Sequence, residues 1–342
     1  MGSAAAVIAT ACWPRRRRSD ARPRANHQRK QCGQVTEPRD VTMPAEDTPI
    51  RLRTVLGTYP HTEPIKRGAI TSTSLALDFI PIEPTHKAFK PMVRELAFDV
   101  CEMAIVTYLQ AKAYGKPLVL LPAVMLGRFQ HGCLLYNSQR GTLAPADLVG
   151  RRIGVRAITQ TTGVWLRGIL AADYGIAPDQ VRWVTFEDAH VAEYHDPPGV
   201  ERAAPDKDLT AMLLAGEIDA AIYGAELPAD PRLKSVIPQP ESAARAWYRK
   251  YRLAPINHMV VVREQLATER PHAVRALYDL LLAAKRAAAT VATDGIDLAP
   301  FGIEPNRRAL ELIVDYAVAQ KLIPRKLTVD ELFGEVTRVI PQ

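Results

Sequence analysis

The stretch "RFQHGCLLYNSQRGTLAPADLVGRRIGVRAITQTTGVWLR", residues 128–167, decides the fold expected for this chain. Cys133–Tyr136 reads as a short strand leaving one lobe. A polar connector with a helix start at "APADL" follows, and Arg152–Val155 reads as a second strand. The Thr-rich turn "ITQTT" then opens a helix at about Gly163. A strand that ends in such a turn and a helix N-terminus makes an anion site, because free backbone N–H groups and the helix dipole both point at whatever binds there. Arg128, Arg156 and Arg167 stand around this turn, and guanidinium pairs with carboxylate in a bidentate way. Thr161 and Thr162 complete the anion site or simply cap the helix, two roles that can coexist.

To either side, strands alternate with helices. "IRLRTVLG", residues 50–57, alternates apolar and polar positions as a strand does, and "SLALDFIPIEP" is a second strand. "AFDVCEM" is an apolar strand running directly into a helix from Ala104 to Tyr114. Glu102 therefore sits where a parallel α/β sheet presents its ligand-facing residues. "KPLVLLPAVML" is another buried strand. After the central stretch come the strand "VRWVTF", the helix–Gly–strand unit "DLTAMLLAGEIDAAIYG" ending near Tyr223, and the helix "ESAARAWYRKYR". "INHMVVVRE" is a strand returning to the first lobe. Strands crossing near residues 135 and 260 predict an α/β body of two hinged lobes. Residues 49–138 and 257–342 form lobe I, and 139–256 form lobe II.

The 342 residues, 47% of them hydrophobic, suffice for two lobes with cores of their own. The formal charge of +7 is uneven: residues 1–42 carry nine basic side chains against three acidic ones. The body is thus near neutral, and nucleic-acid binding is not supported. Residues 1–48 are rich in Arg, Pro and Ala without apolar periodicity, and read as a disordered basic leader. Their apolar run precedes the basic block, the reverse of a secretory signal, and no transmembrane span is present. A cytoplasmic protein without a membrane partner is expected, with Met43 as an alternative start. Cys12, Cys32, Cys101 and Cys133 show no CxxC spacing, so neither a zinc site nor a disulfide framework is indicated. No GxGxxG or P-loop points to a nucleotide cofactor.

Several segments carry a resemblance: "FDVCEM", "GRFQHGCLLYN", "LVGRRIGV", "GVWLRGIL", "YGIAPDQVRWVT", "LLAGEIDAAI", "PINHMVVVRE" and "FGIEPNRRALE". In this order, over roughly residues 50–335, the sequence resembles the 4,5-dihydroxyphthalate decarboxylase family, and its two-lobe pattern resembles the type II periplasmic-binding-protein fold. The resemblance implies removal of one carboxylate from a dihydroxylated aromatic diacid to give protocatechuate, with no organic cofactor. A hydroxyl para to the departing carboxylate supplies electrons. The protein supplies cations for the carboxylates, a partner for the hydroxyls and an acid for the ring carbon.

For these roles the sequence offers Arg128, Arg156 and Arg167 as carboxylate ligands, and His131 and His258 as acids with near-neutral titration. Glu102 is the partner of a catechol hydroxyl or a helix N-terminal carboxylate. Trp165 and Tyr223 are ring-stacking or core aromatics, and Asn257 is a cleft hydrogen-bond donor. Glu102, His131 and His258 also have the residue types of metal ligands, so a divalent metal stays open. His190 and His195, five apart in an acidic segment, are a weak metal signal that reads better as a solvated loop. Two functions from different classes remain: a cofactor-independent decarboxylase of a hydroxylated aromatic acid, and a non-catalytic solute-binding protein closing on an aromatic carboxylate. Homo-oligomerisation is open in both.

Overall fold

A computed structural model describes residues 48–288, 295–334, 336 and 340. The expected leader, residues 1–48, lies outside the described residues except for Thr48. In chain order the strands are β1 (Ile50–Val55), β2 (Leu75–Phe79), β3 (Val100–Ala104), β4 (Leu118–Gly127), β5 (Leu134–Asn137), β6 (Arg152–Val155), β7 (Arg182–Thr185), β8 (Glu201–Arg202), β9 (Ala220–Ile222), β10 (Leu233–Ser235) and β11 (Ile256–Arg263). They form two sheets, ordered β2-β1-β3-β11-β4 and β10-β5-β9-β6-β7-β8.

In the first sheet β1 pairs in parallel with β2 and β3, while β11 runs antiparallel between β3 and β4. Strand side chains alternate between faces, and the sheet uses both. Met259 and Val261 of β11 join Cys101 and Met103 in one core. Val260 and Val262 join Val100 and Leu52 in the other. The helix Ile105–Ala113 supplies Tyr108 and Leu109 to the first core, and the helix Pro271–Ala287 supplies Leu277 and Leu281 to the second. A sheet buried on both faces requires the near-continuous apolar runs seen in β3, β4 and β11.

In the second sheet β9, β6, β7 and β8 are mutually parallel, and β5 and β10 close one side antiparallel. The helix Thr161–Tyr174 covers one face through Trp165, Leu166 and Ile169, and the helix Leu209–Ala215 covers the other through Leu213. That second helix stops at Gly216, whose φ of 75° is left-handed, a conformation glycine adopts without a Cβ penalty.

One boundary differs from expectation. Residues 134–137, placed by sequence in the first lobe, pair with β9 and β10 of the second sheet. The change of sheet falls in the turn His131–Cys133 after β4, beside the return at Pro255, whose carbonyl accepts from the Arg128 backbone N–H at 3.1 Å. A four-residue apolar run has no feature that says which sheet it joins. Among the described residues no helix is long and apolar enough to cross a membrane.

Candidate active site

Parallel α/β sheets present ligand-facing residues beyond the carboxyl ends of their strands, and here two such sets meet. Segments following β1, β2, β6 and β9 and the junction of β3 with the helix Ile105–Ala113 line one cleft of about 500 Å³, with His258 of β11 between them. The register of β11 against β4 slips on both sides of His258. Such a bulge re-aims a side chain out of the regular alternation, and His258 is partly exposed to the cleft between buried neighbours Asn257 and Met259.

Behind His258 lies a fully buried carboxylate. Glu102 Oε1 is 2.6 Å from His258 Nδ1 and accepts from the Tyr59 hydroxyl at 2.6 Å. Its Oε2 accepts from the Gly57 N–H at 2.7 Å. Burial, the largest single influence, pushes the Glu102 carboxyl up. The His258, Tyr59 and Gly57 contacts outweigh it and hold the group below its ordinary value. An ionised Glu102 accepts only, so the proton of this contact sits on His258 Nδ1 and leaves Nε2 for the cleft. Glu102, expected to meet a ligand hydroxyl, does not itself line the cleft: its carboxylate is fully buried and faces these three protein donors. His258 also lies edge-on to Phe89, with ring centroids 5.2 Å apart and planes at 89°.

Across the cleft the helix Thr161–Tyr174 begins at Thr161, and the N–H groups of its first turn have no partners within the helix. The Thr162 hydroxyl accepts from Arg128 Nη2 at 2.8 Å and lies 3.5 Å from Asn257 Nδ2. Asn257 Oδ1 in turn accepts from Gln130 at 2.7 Å. Arg128 lines the cleft and also donates to the Gly224 carbonyl at 2.8 Å, which ties the turn to the segment after β9. The Thr161 hydroxyl accepts from the Val106 N–H at 3.3 Å, which brings a second helix start alongside. Arg156 lines the cleft at its rim and pairs with Glu187 at 3.0 Å.

Tyr223 lines the cleft with its ring and donates its hydroxyl to Thr210 at 3.1 Å. Three other sequence candidates do not line it. Arg167 is 2% exposed, donates to Gln320 Oε1 at 2.6 Å and to the Ile158 carbonyl at 2.5 Å, and lies over the Trp183 ring. Burial lowers its guanidinium to about 10. It sits six residues into the helix, on the side facing the core, and steadies the turn that carries Arg156. Trp165 is fully buried against Trp247 and Tyr316 and donates to the Ile256 carbonyl at 2.8 Å. His131 is 2% exposed and packs against Trp247, and burial lowers it to about 4. With His131 elsewhere, the three metal-ligand types read from sequence do not converge. Among the described residues no group of three His, Cys, Asp or Glu is disposed to hold a metal.

The structure adds Tyr59, Phe89, Thr107 and His86, which sequence reading passed over, to the cleft lining, and places His190 there as well. His190, read as part of a solvated loop, packs into the wall with Nδ1 2.8 Å from the Thr107 hydroxyl. Its spacing from His195 was the available signal; the turn that buries one and not the other leaves no mark in sequence.

Two mixed α/β sheets with a ligand-sized cleft at their strand ends define a type II periplasmic-binding-protein-like fold. The periplasmic aliphatic sulphonate binding protein SsuA from Escherichia coli has the same fold: TM-score 0.50, 13% identity, 83% of this chain and 97% of that one covered. No family model matches the sequence. A 4,5-dihydroxyphthalate decarboxylase of Comamonas testosteroni is 27% identical over 325 residues, covering 83% of this chain and 96% of that protein. Another, of Pseudomonas putida, is 29% identical over 213 residues, covering 58% and 82%. Over most of its length the chain is thus similar to 4,5-dihydroxyphthalate decarboxylases.

Proposed function

We propose that this protein is a carboxy-lyase that converts 4,5-dihydroxyphthalate, or a closely similar hydroxylated aromatic diacid, to the monoacid and carbon dioxide. The observation that carries the reading is the pairing of His258 with buried Glu102, across one cleft from the Thr161–Thr162 helix start. The first-turn N–H groups, the two threonine hydroxyls and Arg156 take the carboxylates, and Arg128 and Asn257 hold Thr162 in position.

The bond changes follow from these roles. His258, as imidazolium, gives its Nε2 proton to the ring carbon bearing the departing carboxylate. The hydroxyl para to that carbon shares its electrons with the ring. The bond between ring and carboxylate breaks, its electron pair restores the aromatic system, and carbon dioxide leaves. His258 then regains a proton from water at the cleft mouth. Neither an oxidant nor a reductant enters the balance.

The test is incubation of the full chain with 4,5-dihydroxyphthalate, with and without added divalent metal, following carbon dioxide and protocatechuate. His258→Ala is expected to lower kcat by about 10²–10⁴-fold, the usual worth of a general acid, while His131→Leu keeps kcat near the wild-type value. Tight binding of the diacid without turnover under every condition would leave a solute-binding protein and overturn the catalytic reading.

A further inference from the structure

The carboxylate end of the proposed site leaves the hydroxyl end of the ligand without a recognising group. We propose that His190 is that group: anchored at Nδ1 by Thr107, it presents Nε2 to the cleft as a neutral hydrogen-bond partner for a ring hydroxyl. This deepens the reading above and rests on its aromatic acid ligand.

The geometry is specific. His190 and His258 both stand perpendicular to Phe89, with centroids 5.8 Å and 5.2 Å from its ring and interplanar angles of 88° and 89°. All three residues line the same cleft. The His190 backbone is held independently of any ligand, because Arg94 donates to its carbonyl at 2.8 Å and to that of Ala189 at 3.0 Å. One ring nitrogen is committed to Thr107 at 2.8 Å, which leaves one for a ligand.

The chemistry fits a hydroxyl and not a carboxylate. Burial first, then the positive charges of Arg156, His86, Lys90 and Arg94, lower His190 to about 3. It is therefore uncharged near neutral pH, unable to neutralise a carboxylate or to act as the acid. A phenolic hydroxyl both donates and accepts. If Thr107 donates to Nδ1, Nε2–H donates to the hydroxyl oxygen; if Nδ1–H donates to Thr107, Nε2 accepts the hydroxyl proton. A buried hydrogen-bonding position of this kind penalises a ligand that leaves it unpaired.

Two ligands that differ only in ring hydroxyls, and that this reaction does not consume, isolate the effect. Calorimetry with protocatechuate and benzoate is expected to show wild-type preference for protocatechuate of roughly tenfold to a hundredfold. His190→Leu should abolish the preference and leave benzoate affinity unchanged. His190→Gln, whose amide reaches the place of Nε2, should restore part of it, and Thr107→Val should reduce it. An unchanged preference in His190→Leu, equal loss of both ligands, or no preference in the wild type would overturn the assignment. The outcomes separate from those of the decarboxylase test. A preference lost in His190→Leu with no carbon dioxide from the wild type sinks only the catalytic reading, and turnover with an unchanged preference sinks only this one.

Discussion

The smallest unit that explains the site is the Glu102 carboxylate with its three donors. A buried carboxylate is costly unless it is paired and hydrogen-bonded, and here Gly57, Tyr59 and His258 each contact it. Removing the tyrosine donor in Tyr59→Phe should cost about 1.5–3 kcal/mol in denaturant unfolding at neutral pH, the usual worth of a hydrogen bond to a charged group. Because the folded Glu102 is held below its ordinary value, this stability is present above that value and is lost as pH falls through the folded one. The cost of Tyr59→Phe should therefore shrink in acid. His131 behaves differently from its sequence reading for a physical reason: its ring is packed on Trp247, and its Nδ1 is buried without a partner. Its folded value, lowered to about 4, lies below the ordinary 6.5. Between these values the unfolded chain binds more protons, so stability rises with pH across this window and is lost as pH falls toward 4. His131→Leu should flatten that limb of the stability curve; an unchanged limb in urea titrations would assign it to other groups. Sequence could name the histidines and carboxylate of this region because they sit at strand ends. It could not separate His258 from His131, since a bulge aims one at the cleft and a turn tucks the other into an aromatic cluster.

At the scale of elements, the helix Thr161–Tyr174 does two jobs that were legible to different degrees. Its start after a Thr-rich turn is plain in sequence, and it places Thr161 and Thr162 on the cleft. The faces of the helix were not legible. Trp165 and Arg167, three and five residues beyond Thr162, turn inward to the core, and the sequence has apolar residues all around this segment, so periodicity marks no outer face. The close packing this requires is visible at Gly168, where a Cβ would lie 2.1 Å from the Tyr316 ring. Gly168→Ala should thus destabilise by about 1–3 kcal/mol through overpacking, although alanine is the better helix former. A thermal-melt increase would show that Tyr316 yields without cost. The strands β3, β4 and β11 were legible because both faces are buried and their apolar runs are nearly continuous. β8 and β10, two and three residues long, carry no pattern of that kind.

Across the whole molecule, contacts between the two sheets' layers decide how the cleft is held. The segment after β7 reaches elements of the first sheet through Arg94, which donates to Ala189 and His190, through Thr107 to His190, and through Lys116, which pairs with Glu193 at 2.6 Å. On the other side Arg167 and the Val164 carbonyl meet Gln320, and Trp165 reaches the Ile256 carbonyl. None of these pairs is legible in sequence, because each joins residues 70 or more positions apart and depends on a turn to bring them together. The straps made by Lys116 and Arg94 differ in kind. Lys116–Glu193 is a surface pair, and such pairs contribute about 0–1 kcal/mol. Arg94 satisfies two backbone carbonyls at once, and without it the loop bearing His190 loses these hydrogen bonds to the helix Phe89–Glu95 and keeps the ring contact with Phe89. Lys116→Ala should therefore leave ligand affinity and the melting temperature nearly unchanged. Arg94→Ala should speed hydrogen exchange across residues 187–196 and weaken protocatechuate binding by roughly tenfold, the worth of about 1.4 kcal/mol, with benzoate less affected. Equal exchange rates in Arg94→Ala and wild type would mean that Thr107 and Phe89 alone hold His190 against the cleft wall.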